Sequence, residues 1–109
     1  MGKAEGTVSK AQIQQWKSLP ENSQGIHQCF TKDKQGNSHV TYVRKPTLHE
    51  IGAAAQFAET DPVKSGKIMF DLCRLGGSEI VPKNDEMKAG VMQYLGKLFK
   101  VAQAEGNEL

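Results

Sequence analysis

Apolar positions fall into two regimes along the chain. From Gly25 to Lys45 they follow the two-residue rhythm of strands; on either side they recur at three and four residues, as on helix faces. Ser9 is placed to cap a short helix through Leu19, with Ile13 and Trp16 on one face, and Pro20 ends it by pushing Leu19 out of the helical region. Gly25 to Thr31 reads as a strand with Ile26 and Phe30 on one side and Cys29 on the other. Lys32 to Asn37 is a charged turn, and Ser38 to Lys45 is a partner strand rich in β-branched and aromatic residues, so a β-hairpin is expected.

Three helices are expected after the hairpin. Thr47 and Glu50 have the spacing of a capping box, opening a helix to about Glu59. Asp61-Pro62 is a second start, cap followed by proline at the first helical position, and Gly76-Gly77 is a stop after Leu75. Asn84 or Asp85 opens a third helix running to about Gln103. The expected fold is thus α+β: a short N-terminal helix, one β-hairpin and a three-helix C-terminal bundle. It forms a single domain over residues 9–104, with flexible ends at 1–8 and 105–109. The helix from Pro62 has only a narrow polar wedge of Lys64, Lys67, Asp71 and Arg74, which predicts that it is the most buried and packs against helices on both flanks.

The length of 109 residues suits one self-sufficient core. Fourteen basic and 12 acidic residues leave +2, too little for a protein that holds phosphates by bulk charge. No apolar run reaches membrane-spanning length, and the polar start carries no signal-peptide pattern. With only Cys29 and Cys73, far apart, reduced thiols in a cytoplasmic setting are expected.

Candidate chemistry is sparse. His27, Cys29, His39 and His49 lack the paired spacing of a structural zinc site, and hairpin histidines open to water are the simpler expectation. Cys73 falls on an apolar helix face. No nucleophile elbow, Walker A or H-E-x-x-H pattern occurs, so no enzyme, metal or cofactor is expected. The rival function from another class is a small nucleic-acid-binding module, with Lys32, Lys34, Arg44 and Lys45 on the hairpin and Phe30 and Tyr42 interleaved.

One ordered series of short motifs goes further. Tyr42-Val43-Arg44-Lys45-Pro46-Thr47 leads into a helix; Asp61-Pro62 opens the next, which ends Leu72-Cys73-Arg74-Leu75-Gly76-Gly77; Glu79-Ile80 and then Asp85-Glu86 follow. From Tyr42 to about Phe99 the chain resembles the small tail assembly chaperones of tailed bacteriophages and prophages. The resemblance implies a non-enzymatic protein of the host bacterial cytoplasm. Such a protein binds the long, helical tape measure protein, keeps it soluble until tail tube subunits polymerise around it, and then leaves; self-association is a natural companion.

The apolar stripe of the last helix supplies an expected binding surface. Met87, Val91, Tyr94, Leu95, Leu98, Phe99, Val101 and Ala102 span about half its circumference, wider than one core contact requires. Met92 and Phe99 lie at one edge of the stripe, and Phe57 points away from the main face of its own helix. These three are the expected partner-binding residues, partly exposed in the isolated chain.

Overall fold

Ser9, Asp61 and Asn84 each accept a backbone N–H from the first turn of a helix, and Thr47 with Glu50 forms the reciprocal capping box. These caps set the helix starts in the structure, a computed structural model that describes residues 4–98 and 105–109. The elements are α1 (Lys10–Lys17), β1 (Ile26–Lys32), β2 (Ser38–Arg44), α2 (Leu48–Ala55), α3 (Pro62–Cys73), β3 (Arg74–Gly77) and α4 (Asp85–Leu98). Short 3-10 turns occupy Pro20–Asn22 and Val81–Lys83. The fold is α+β, as the periodicity predicts.

The sheet holds one strand more than the hairpin. β1 and β2 pair antiparallel with Ile26 opposite Arg44 and Lys32 opposite Ser38, and β3 adds antiparallel on the far side of β2. The reading of Gly76-Gly77 as a helix stop is corrected here: α3 ends at Cys73 and the chain passes straight into β3. Two glycines weaken a strand signal, but Gly76 and Gly77 pair with Tyr42 and Thr41, where a side chain would intrude. Gly77 sits at φ +122°, and a Cβ there would overlap the backbone of Val40.

The sheet is covered on both faces. Tyr42 and Val43 are adjacent in β2 and so point to opposite sides. On one side, Trp16 of α1 lies against Tyr42, ring centroids 5.5 Å apart, and over Gly76. On the other, Val43 and Cys29 join Phe70 and Cys73 of α3, Val81, and Met87, Val91 and Leu95 of α4 in one core. Each large side chain buried there contributes about 1.5–3 kcal/mol.

Two expectations about the helices change. α3 does pack against α2 and α4, yet it is not the most buried helix. Its buried residues are Phe70 and Cys73, against three in α4, while Val63 and Leu72 are exposed. α2 stops at Ala55 rather than Glu59, because Ser65 Oγ donates to Ala54 O (2.8 Å) and Phe57 N also turns to that carbonyl (3.1 Å), leaving Ala58 N to Ala55 O. Within the expected flexible segment 1–8, Glu5 is tied down. Glu5 N donates to Ser38 O and Val40 N donates to Glu5 O, both at 2.9 Å, so this part of the expected flexible end is a bridge beside β2.

Candidate functional site

α3 and α4 approach closely because Gly66 has no side chain: a Cβ there would overlap Met92 Cε. Beside this contact the seam between the two helices opens into a groove of about 320 Å³. Val63, Ala89 and Met92 form its apolar lining, and Lys67, Lys88 and Asp85 add charge. The α4 contributors recur at three, four and seven residues from Asp85, so they share one face. Val63 is 59% exposed, a large apolar side chain left open to water. The Lys88 ammonium lies 5.0 Å from the Phe70 ring centroid, so its stem runs along the apolar seam while its charge stays at the surface.

The three expected partner residues fall in different places. Met92 is half-buried and packs against the core, with part of its surface in the groove. Phe57 is half-buried in the turn after α2, and the Lys64 ammonium sits 4.1 Å above its ring. Phe99 lies outside the described residues. Val63 was missed as a groove residue because a lone valine on α3 carries the same signal as a core position.

The basic hairpin is smaller than its sequence implies. Arg44 is buried in a forked pair with Glu50 and donates to Leu72 O (2.9 Å). Tyr42 is buried too, its hydroxyl accepting from Val8 N (3.3 Å) and Gln28 Nε2 (3.4 Å). Lys32, Lys34 and exposed Phe30 keep to the solvent side.

The hairpin histidines are not both open to water. His27 is half-buried, its Nδ1 3.1 Å from Tyr94 Oη. His39 is fully buried, which corrects that expectation. Its Nε2 lies 3.0 Å from Asp33 Oδ2, and its Nδ1 lies 2.9 Å from Ser78 Oγ and 3.3 Å from Glu5 Oε2. Serine, histidine and aspartate thus stand in the order of a hydrolase triad. The arrangement cannot serve as one, because Ser78 is 1% exposed and its Oγ accepts from Ile80 N (3.3 Å), leaving no approach for a substrate carbonyl. It works as a clasp between the hairpin turn and the loop after β3. Asp33 also accepts from Gln35 N and Asn37 N, and His39 with these amides holds its carboxyl below the usual range. The pairing was hidden in the sequence because Ser78 lies 39 residues from His39.

Both thiols are buried, and burial raises the pKa of each, that of Cys73 to about 11, the opposite of an activated nucleophile. Among the described residues, no group of three or more His, Cys, Asp or Glu is placed to hold a metal, and no helix is long and apolar enough to cross a membrane. Comparison with known protein families, with characterised proteins and with solved structures finds no match to this chain.

Proposed function

We propose that this protein is a non-enzymatic tail assembly chaperone that receives a helical segment of a tape measure protein in the groove between α3 and α4. The observation that supports this reading is the open apolar lining of Val63, Ala89 and Met92 beside the charges of Lys67, Lys88 and Asp85. A helix laid in such a groove buries one apolar face and leaves its polar face in water. The unbranched thioether of Met92 adapts to apolar side chains of different shape, which suits a target whose sequence varies along its length. Release requires no bond to be broken: tail tube subunits that bind the same apolar face displace the chaperone by mass action. In this reading the protein acts in the host cytoplasm, and several copies coat one tape measure chain.

The test is co-expression of the full chain with the tape measure protein encoded beside it, scored by the soluble fraction of the latter. Wild type is expected to keep it soluble and to co-purify with it. Val63→Glu places a charge in the apolar lining and is expected to abolish both effects while leaving the thermal midpoint unchanged. Unaltered rescue by Val63→Glu overturns the groove as the binding surface, and failure of wild type to rescue overturns the function.

A further inference from the structure

β1 has one neighbour in the sheet, so half of its backbone groups face away from β2. The bonding on the other side of β2 identifies that half. Ser38 O accepts from Glu5 N, Val40 N donates to Glu5 O, and Val40 O accepts from Ser78 N, all at 2.9 Å. Alternation then turns the backbone groups of His39, Thr41 and Val43 toward β1, where their partners are Thr31, Cys29 and His27. The outward row is therefore Ile26, Gln28, Phe30 and Lys32.

A groove of about 450 Å³ lies along this row. Ile26, Gln28 and Phe30 supply its base, Ile13 and Lys17 of α1 stand on one side, and His27 and Tyr94 on the other. Because α1 and α4 cover opposite faces of the sheet, a cavity touching both wraps the strand edge. Phe30 is 59% exposed beside it. Open backbone groups, an uncovered aromatic side chain and flanking walls are what strand addition requires.

Charge selects the occupant. Lys17 lines the groove, Lys32 ends the strand, and neither forms a salt bridge among the described residues; no carboxylate lines the groove. A second copy of β1 fits poorly. Full-length two-fold pairing would set Lys32 of one copy opposite Ile26 of the other, next to Lys17, and β1 contains no acid to compensate. We propose that the outer edge of β1 binds an extended, acidic peptide segment of a partner protein, adding it to the sheet as a fourth strand. This surface is separate from the α3–α4 groove and stands or falls independently of it.

The experiment titrates the full chain into a fluorescein-labelled octapeptide that alternates valine with threonine and glutamate. Two controls accompany it: the same peptide with lysine for glutamate, and the acidic peptide N-methylated at alternate amides to block strand pairing. Saturable binding of the acidic peptide is expected, weakened about tenfold or more in either control. Bound peptide should slow amide exchange at Gln28 and Phe30. Lys17→Glu should weaken the acidic peptide at least about fivefold without moving the thermal midpoint. No binding, or equal binding of all three peptides, overturns the proposal. So does concentration-dependent dimerisation that slows the same amides without peptide, which assigns the edge to a second copy.

Discussion

Arg44 and Glu50 form a forked ion pair that joins three elements. Arg44 sits at the end of β2, Glu50 in the first turn of α2, and the same guanidinium donates to Leu72 O near the end of α3. Glu50 Oε1 also accepts from Thr47 N (3.0 Å), so one carboxylate closes both the ion pair and the helix cap. In sequence the arginine looks like a surface cation of a hairpin; in the fold it anchors the helices to the sheet.

This pair predicts an acid-sensitive fold. Arg44, followed by the Thr47 amide, holds the Glu50 carboxyl down at about 2 against an ordinary value near 4.5. A lowered folded-state pKa contributes stability that is fully present above about pH 4.5 and is lost as pH falls toward 2. Asp33, also lowered, adds in the same direction. Urea midpoints measured from pH 7 to pH 2 should fall through that window. Glu50→Gln should flatten the decline and cost about 3 kcal/mol at pH 7, since it leaves Arg44 buried without its charge partner.

Gly77→Ala should be among the most damaging single changes. The position combines φ +122° with overlap of the added methyl on Val40 O. The expected loss is about 2–4 kcal/mol, read from urea denaturation at constant m-value. A loss below about 0.5 kcal/mol would show that β3 does not hold this register.

Gly66→Ala tests how Met92 fills the α3–α4 seam. The added methyl meets the mobile end of Met92 rather than backbone, and alanine favours the helix by about 1 kcal/mol over glycine. Stability should change by less than about 1 kcal/mol, while displaced Met92 alters the groove. Under the proposed function, weakened capture of the tape measure protein with a thermal midpoint moved by no more than about 5 °C is the expected result.

The two thiols should be slow to react in the folded protein. Cys29 and Cys73 are buried, and burial raises both pKa values. Ellman's reagent at pH 8 should titrate them at least about 100-fold more slowly in buffer than in denaturing urea. Rapid reaction of one equivalent in buffer would place a cysteine at the surface.

Local signals were legible wherever they were self-contained. Ser9, Thr47 with Glu50, Asp61-Pro62 and Asn84 cap their helices as their side chains dictate, and the β1–β2 hairpin follows from alternation. What stayed hidden depends on residues far apart in sequence. β3 is a strand because β2 offers an unpaired side to a segment thin enough to approach it, and nothing within Arg74–Gly77 announces that. His39 becomes a buried clasp only once Asp33, Ser78 and Glu5 converge on it. The groove was half legible: Met92 stood at the edge of the α4 stripe, but Val63 completes the lining from another helix. Phe57 and Met92 share the half-buried status expected of partner residues, yet Phe57 lies under Lys64 in the α2–α3 corner and Met92 in the α3–α4 seam.

The most direct test of the proposed function is a methyl and amide chemical-shift map of the isotope-labelled chain, titrated with a helical segment of the tape measure protein. Binding in the α3–α4 groove predicts saturable perturbations centred on Val63, Lys67, Ala89 and Met92, with the amides of β1 unmoved. Perturbations confined to Ile26, Gln28 and Phe30, or none at saturating peptide, would contradict it.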